Sequence, residues 1–403
     1  MNIFLTLYHY ELKKIIKRKL VWISLFICLG CIVMAKAGNL SGNYYVDGEV
    51  VDTHYHMFQV DSAYRRALSG RVVAQELLEE TMTAYGKIPA AAERYTETEE
   101  YQKYARPYND IFQLIWKWTR RNPFYEGWNA DEQNLYDART DWQEETWTEL
   151  FLSDTEKAFW REKEEQIDKP FTYFYHEGYS VILKDLDTVG ILLLLLTAVC
   201  LSGVFPEEHM RRMDQMILSS AKGRTIAYWA KLSAGISVSF ICAVLMGLAA
   251  VTASLIIYGT EGFQTAVQMY LYLATYSYPI SIGEACFIAY GVFLVTAVLM
   301  SVLVMVVSEL LHNSIATLAL FTGFIIVGVM INIPSQYRIV AQIWQSLPMR
   351  FLSCRGLFSQ RLVVVGRHCF TVWQTVPILY VLCGTAAAVA GVGIYRRYQM
   401  SGR

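Results

Sequence analysis

The chain has 403 residues, of which 54% are hydrophobic and only 18% are charged, and its mean hydropathy is +0.27. A soluble domain usually carries about 25% charged residues, so this composition disfavours an entirely soluble protein. The 35 Lys+Arg and 36 Asp+Glu residues nearly cancel. A nucleic-acid-binding protein normally has a basic surface, and we therefore expect no nucleic-acid partner.

Residues 1–19 predict an amphipathic helix in the interface of a membrane. One face of this helix is apolar and the other is polar, as in helices that lie among lipid headgroups. A basic tail that only fixes the orientation of the chain is the alternative. The apolar face consists of Phe4, Leu5, Tyr8, Leu12, Ile15 and Ile16, and the polar face of His9, Glu11, Lys13, Lys14 and Lys17.

Six nearly uncharged runs predict an all-α membrane protein with six transmembrane helices. Each run has 18 to 27 residues, and a bilayer core about 30 Å thick requires roughly 20 helical residues. The run at 191–196 has no polar face, unlike the surface helices of soluble proteins. The six runs are 20–38, 188–205, 232–258, 285–308, 314–333 and 376–395.

The basic residues beside these runs predict the orientation of the chain. Thirteen Lys and Arg residues lie in the segments on the side of the N-terminus, against five in the short loops on the other side. Cytoplasmic loops carry the excess of basic residues, so both termini are expected inside a multi-pass protein of the cell membrane. The first run is preceded by nineteen residues and is long, which disfavours a cleaved signal peptide.

The segment 39–187 predicts an extracytoplasmic helical domain of ordinary size. It holds 28 acidic and 16 basic residues up to position 186, a net charge of −12, so the remainder of the chain carries +11. Six of the ten Trp residues lie here and predict an aromatic core; an aromatic surface that binds a peptide, lipid or glycan is the alternative. Helix N-termini are predicted by capping pairs at Thr96 and Glu99, Asn129 and Glu132, and Ser153 and Glu156.

Motifs for catalysis, ATP binding and metal binding are missing from the sequence. There is no GxxxxGK[ST] phosphate loop, no HExxH and no GxSxG. The acids Glu284, Glu309 and Asp187 lie at the ends of runs, whereas an ion-coupled transporter is expected to bury such groups. We therefore expect no catalytic, cofactor-binding or metal-binding residue in this chain. Separately, Cys354 and Cys369 share the last outer loop and form one candidate disulfide.

The inner segment 206–231 carries the most informative pattern. Pro206 suits the first turn of a helix, and Glu207 and Glu208 suit its positive end. Met210, Met213 and Met216 then form a stripe opposite charged residues. Such a short helix with polarisable Met side chains is typical of docking into a partner's groove; a plain membrane-surface helix is the alternative.

This segment and the topology resemble the membrane permeases of type-2 ABC exporters. Six spans with a large outer insertion after the first span resemble a bacterial subgroup of that family, and the ending at 395–403 is similar too. The outer domain itself has no counterpart in the resemblance. The residues on which the resemblance rests are YELKK at 10–14, FPEE at 205–208, MILSS at 216–220, Gly223-Arg224 and Lys231.

The resemblance implies that the inner segment is a coupling helix on a separate ATP-hydrolysing subunit. ATP and Mg²⁺ would bind to that ABC ATPase, and two permease subunits, identical or related, would join two ATPase subunits. Closure of the ATPase pair would then open the permease pair by a rigid-body motion. The positions implied in this contact are Glu207, Glu208, Arg211, Arg212, Met213, Met216 and Arg224.

The expected function is thus the permease subunit of an ABC exporter. A membrane receptor or mechanotransmission protein that senses a ligand with its outer domain is the alternative. A receptor of this kind needs an inner signalling domain, and the inner segments are too short for one. The transported substrate stays open among peptides, lipids, glycans and drugs.

The last outer loop, 334–375, predicts a short helix that dips into the outer interface. An apolar stripe at Val340, Ile343, Trp344 and Leu347 ends at Pro348, and the resemblance implies a re-entrant helix at this place. Four basic residues of the loop are expected to face lipid headgroups or the acidic outer domain. They are Arg350, Arg355, Arg361 and Arg367.

Overall fold

The computed structural model describes residues 3–38, 40, 44–46, 49–51, 54–89, 95–126, 131–207, 225–366 and 368–397. Helices make up most of this part of the chain, which confirms the all-α class. The strands described are short and form two antiparallel hairpins. One hairpin pairs β1 (Tyr44–Val46) with β2 (Glu49–Val51), and the other pairs β3 (Val363–Val365) with β4 (His368–Phe370).

The chain begins with helices α1 (Ile3–Ile16) and α2 (Lys19–Gly38). Tyr8 of α1 lies with its hydroxyl 2.9 Å from Ser237 Oγ, so α1 packs against a later membrane helix. Glu11 is buried in this contact, and Lys14 Nζ lies 3.0 Å from its carboxylate. The prediction that Glu11 lies on an exposed polar face is therefore wrong, because α1 rests on protein along that side.

The outer domain consists of short helices around an aromatic core. Trp118 is buried in a cluster made mostly of this domain's residues, whereas Trp147 and Trp160 are buried in the cluster that also contains the membrane helices. The predicted aromatic core is therefore confirmed in part. The polypeptide returns to the membrane through residues 171–175, where Thr172 forms a β-bridge with Val72. The helices are α3 (His54–Ala67), α4 (Gln75–Tyr85), α5 (Asn109–Thr119), α6 (Pro123–Glu126), α7 (Glu132–Glu149), α8 (Asp154–Glu165) and α9 (Glu177–Lys184).

One of the three predicted capping pairs forms. Ser153 and Glu156 make a capping box at the start of α8. The prediction at Asn129 is wrong, because α7 begins at Glu132 and the side chain of Asp131 accepts the hydrogen bond from the Gln133 N–H. Thr96 lies inside a single 3₁₀ turn, Tyr95–Glu97, so it does not begin an α-helix.

Within the described part of the chain, four helices are long and apolar enough to cross a membrane: α2, α11 (Ile226–Tyr258), α12 (Ile282–Leu311) and α17 (Val372–Arg397). The other two apolar helices, α10 (Leu186–Leu201) and α13 (Ser314–Met330), have only 16 and 17 residues. These elements establish a helical, membrane-embedded protein. The number of six spans and their topology stay a prediction, and the words outer and inner name the two ends of the helix bundle according to that prediction alone.

Helix α12 is the centre of the membrane part. Its most apolar stretch is 67% buried, against 28% for α2. Close approach of the helices depends on small residues, as is typical of membrane proteins. A Cβ on Gly235 of α11 would lie 2.1 Å from Met305 Sδ of α12, so a larger residue there would require the Met305 side chain to move.

The last outer loop contains the predicted helix, α14 (Arg338–Gln345), followed by α15 (Pro348–Phe351) and α16 (Cys354–Leu357). Val340 and Ile343 are exposed on the apolar side of α14. Cys354 and Cys369 are free thiols.

The arginines of this loop have varied surroundings. Arg338, whose surroundings were not predicted from the sequence, pairs with Glu156 of the outer domain. Arg350 instead donates hydrogen bonds to the carbonyls of Gly328 and Val329 at the end of α13, and Arg361 is buried and donates to the Ser335 carbonyl. The expectation that they face headgroups or acidic side chains is wrong for Arg350, because backbone carbonyls take its hydrogen bonds. Arg361 is near enough to Glu156 of the outer domain for the two charges to interact. Arg367 lies outside the described residues.

Candidate functional site

The predicted coupling segment is described only at its two ends. Glu207 directly follows the turn after α10, and Thr225 directly precedes α11. The positions between them fall outside the described residues. They are Glu208, Arg211, Arg212, Met213, Met216 and Arg224.

The first end of the segment is held by Arg18, which lies between α1 and α2. Arg18 Nη2 is 2.9 Å from Glu207 Oε2 and 3.4 Å from the Gly203 carbonyl oxygen. Both charged side chains are partly exposed, so the pair contributes at most about 1 kcal/mol to stability. Its main effect is geometric, because it ties the inner segment to the N-terminal helices.

The second end is held by the last helix of the chain. Arg396 of α17 donates hydrogen bonds from Nη2 and Nε to Thr225 Oγ1, at 2.9 and 3.2 Å. Both ends of the inner segment are therefore fastened to terminal helices, one to the N-terminal pair and one to the C-terminal helix.

An aromatic cluster lies next to these two anchors. Phe205, Tyr228 and Tyr395 pack with ring centroids 5.7 to 5.9 Å apart. The ammonium of the buried Lys231 lies 5.3 Å from the Phe205 ring and 5.7 Å from the Tyr395 ring, and such contacts between a cation and aromatic faces are attractive. The cluster joins α10, α11 and α17 at the inner side, and it includes the Lys231 position of the resemblance.

On the outer side, the segment between α11 and α12 is bound by side chains of the outer domain. Arg139 Nε and Trp118 Nε1 donate to the Ala274 carbonyl at 2.9 and 3.0 Å. Gln143 Nε2 donates to the Thr275 carbonyl at 2.9 Å. We call this set of contacts the first outer clamp. Because its donors are buried and their acceptors are backbone atoms, the loop and the domain are held in one position.

A buried carboxylate supports the first outer clamp. Glu164 of α8 pairs with Arg139, and Lys169 Nζ lies 2.6 Å from its Oε1. Burial alone would raise the pKa of Glu164, but the charge of Arg139 and hydrogen bonds from Lys169, Arg139 and Ser277 lower it to about 2. The carboxylate is therefore ionised at neutral pH and keeps Arg139 oriented towards the loop.

The second outer clamp joins α8 to the last outer loop. Glu156 Oε1 accepts a hydrogen bond from the Leu362 N–H at 3.0 Å, and Trp160 Nε1 donates to the Gln360 carbonyl at 2.6 Å. Burial opposes ionisation of Glu156, but hydrogen bonds from the Leu362 N–H, Ser153 and Arg338 lower its pKa. Glu156 therefore has two functions, since it also caps its own helix.

An ion pair connects the outer ends of three membrane helices. Lys36 Nζ, at the end of α2, lies 2.6 Å from Asp185 Oδ2, just before α10, and 3.2 Å from the Val181 carbonyl of α9. Tyr258 of α11 donates to the Lys36 carbonyl at 2.8 Å. The sequence does offer one signal for this site, because an ionisable residue inside an apolar run usually has a partner.

Comparison with known proteins gives no independent assignment. No family model and no curated protein matches this chain. What the described residues provide is a connected set of contacts, from the outer domain through α10 and α11 to the two ends of the inner segment.

Proposed function

We propose that this chain is the permease subunit of an ATP-driven ABC transporter of the cell membrane, with six transmembrane helices and both termini in the cytoplasm. An exporter is the direction that the resemblance implies. A separate ATPase would bind at 206–224 and supply the ATP and Mg²⁺ sites, and a second permease copy or a related subunit would complete the transporter.

One observation carries this proposal: both helices that flank the inner segment lead to the outer domain. Helix α10 runs from the Asp185 pair to the Glu207 anchor, about 24 Å for its 16 residues. Helix α11 runs from Thr225 to Tyr258, about 50 Å for its 33 residues, and the loop that follows it is held by the first outer clamp. A push on the inner segment would therefore reach the outer side through two rigid elements.

The exposed surface of α2 agrees with the proposed surroundings. Phe26, Ile27 and Met34 are each at least 60% exposed. An apolar helix face of this kind requires lipid or another membrane helix against it. The bilayer and a second permease subunit would together cover it.

A receptor or mechanotransmission protein is the second candidate, and the two outer clamps favour it. They fix the outer domain to two membrane loops, so that a ligand bound outside would also act on the helices. The two candidates differ in the partner inside, which is an ATPase for a permease and a signalling protein for a receptor.

The decisive experiment is co-purification of the full chain with candidate ABC ATPases, followed by measurement of ATP hydrolysis. In the variant with Arg211→Glu and Arg212→Glu, we expect about a tenfold loss of ATPase binding, equivalent to about 1.4 kcal/mol, because like charges would then meet at the contact. The matched control is Lys157→Glu with Lys163→Glu on α8, which makes the same charge change on the outer domain.

Unchanged binding and hydrolysis in the Arg211 and Arg212 variant would overturn the docking assignment. Equal losses in the α8 control would show that the effect comes from net charge alone. A partner that co-purifies but hydrolyses no ATP would favour the receptor.

A further inference from the structure

A cleft of about 510 Å³ lies between the outer domain and two outer loops, apart from the inner segment and both outer clamps. Helices α5 and α7 form one wall, and the loop after α11 and helix α16 form the other. Its lining contains three basic and three aromatic side chains. They are Lys117, Arg120, Arg355, Trp116, Trp142 and Tyr272.

The charge of this cleft is opposite to that of the domain around it. None of the described residues that line it is acidic, although residues 39–186 carry 28 acids and 16 bases. Arg120 pairs at the rim with Glu145. Among the described residues, no carboxylate lies within 4 Å of Lys117 or Arg355. Two cations thus face the same cleft without a compensating anion.

The electrostatics of Lys117 reflect this crowding. Burial lowers its pKa, and the neighbouring charges of Arg355 and Arg120 lower it further. Basic groups are brought together in this way where a negative ligand compensates for their repulsion.

Aromatic rings hold the basic groups in position. Lys117 Nζ lies 4.8 Å from the Trp142 ring, and Arg355 Cζ lies 5.7 Å from the Tyr272 ring. These contacts stabilise the cations without neutralising their charge. Trp116 and Tyr272 are 39% and 46% exposed, so their rings also offer apolar surface to a ligand.

The position of Arg355 places the cleft at the outer end of a membrane helix. Helix α16 follows Leu352, which packs so closely on Gly190 of α10 that a Cβ there would lie 2.7 Å from Leu352 Cβ. Gly190 is in the first turns of α10. Trp, Tyr and Arg side chains at such a level are typical of the region of lipid headgroups.

We propose that this cleft binds a phosphate group carried on a lipid headgroup, with Lys117, Arg120 and Arg355 as the groups that contact the phosphate. Trp116 and Tyr272 would lie against the glycerol or sugar part. Arginine suits this task because its planar guanidinium binds two phosphate oxygens at once. The site does not depend on the proposed transport function, since it requires only that the protein is embedded in a membrane.

The test is a titration of the purified full chain in an uncharged detergent, followed by the intrinsic fluorescence of Trp. Dihexanoyl phosphatidic acid is the lipid phosphate, dihexanoylglycerol is the same molecule without phosphate, and inorganic pyrophosphate is a soluble phosphate. We expect saturable binding of phosphatidic acid and no saturable binding of dihexanoylglycerol.

The variant Lys117→Gln with Arg355→Gln should bind phosphatidic acid at least about tenfold more weakly, because two charged hydrogen-bonding groups are lost. Lys157→Gln with Lys163→Gln is the matched control and should bind as the parent chain does. Arg355→Gln alone is the second variant, because Arg355 is exposed and its replacement leaves the fold intact; it should bind more weakly as well.

Three results would overturn the proposal. Equal binding of dihexanoylglycerol would exclude recognition of the phosphate. Binding of pyrophosphate without binding of phosphatidic acid would assign the cleft to a soluble phosphate compound. Undiminished binding in the Arg355→Gln variant would exclude this cleft as the site.

Discussion

The outer and inner contacts of the membrane helices differ in kind. On the outer side, buried side chains such as Arg139 and Trp160 donate to backbone carbonyls of two loops. On the inner side, the anchors Arg18 and Arg396 are only partly buried or exposed, and each holds one end of a segment.

The buried outer contacts are structural, whereas the exposed inner contacts are weak enough to suit regulation. Breaking a buried, hydrogen-bonded charge pair costs about 3–5 kcal/mol, whereas an exposed pair contributes at most about 1 kcal/mol. The outer domain and its two loops should therefore move as one body. The inner anchors can be rearranged by a partner whose binding energy is far larger than their own.

The largest expected effect is at Arg139. The substitution Arg139→Gln leaves the buried Glu164 with Lys169 as its one remaining ion-pair partner among the described residues, beside hydrogen bonds from Gln143 and Ser277. It also removes two hydrogen bonds to the loop carbonyls of Ala274 and Tyr276. We expect the free energy of unfolding to fall by about 3 kcal/mol, measured by denaturant or thermal unfolding of the purified chain.

The control for Arg139 is Arg161→Gln. Arg161 pairs with Glu144 on the surface of the same domain, so its replacement should leave the unfolding midpoint unchanged. Equal shifts of the unfolding midpoint in both variants would mean that the first outer clamp is no stronger than a surface ion pair. The outer contacts would then not differ in strength from the inner ones.

The second prediction concerns the pH dependence of the outer clamp. The pKa of Glu164 is lowered from 4.5 to about 2, so its contribution to stability is complete above about pH 4.5 and is lost as the pH falls towards 2. The contribution amounts to at most about 3 kcal/mol. We expect Glu164→Gln to lose stability at neutral pH and to show a smaller further loss between about pH 4.5 and pH 2 than the parent chain.

The neighbouring exposed Glu165→Gln serves as the charge-matched control for this titration. It should follow the parent chain throughout. A Glu164→Gln variant with the same acid dependence as the parent would show that other carboxylates cause the loss, and that the buried pair does not distinguish the outer side.

Sequence patterns predicted the parts of this molecule that depend on local order. Long apolar runs identified the membrane helices, and the Ser153 and Glu156 spacing identified the start of α8, because both signals lie within one helix. These features can be recognised without knowing which residues pack against one another in the fold.

The contacts between distant parts of the chain could not be predicted from such patterns. Arg139 and Ala274 are 135 positions apart, and Lys36 and Asp185 are 149 apart. A backbone carbonyl as acceptor leaves no residue-specific signal at all, which explains why the outer clamps were missed. The charge of Glu11 suggests the polar face, but its position three residues after Tyr8 and four residues before Ile15 puts it on the face of those two residues.

The smallest effect on stability, and the most specific one, is expected at the inner anchor. Arg18→Glu or Glu207→Arg alone should reduce ATP hydrolysis by a co-purified ATPase a few-fold, while the unfolding free energy changes by less than about 1 kcal/mol. The double variant restores an ion pair of opposite polarity between the same positions, 2.9 Å apart in the parent chain, and should recover most of the hydrolysis. If the ion pair acts by holding these two positions together, the reversed pair should hold them as well, and hydrolysis should recover. If the double variant is as impaired as the single ones, Arg18 and Glu207 act separately, and the inner segment is not controlled through this anchor.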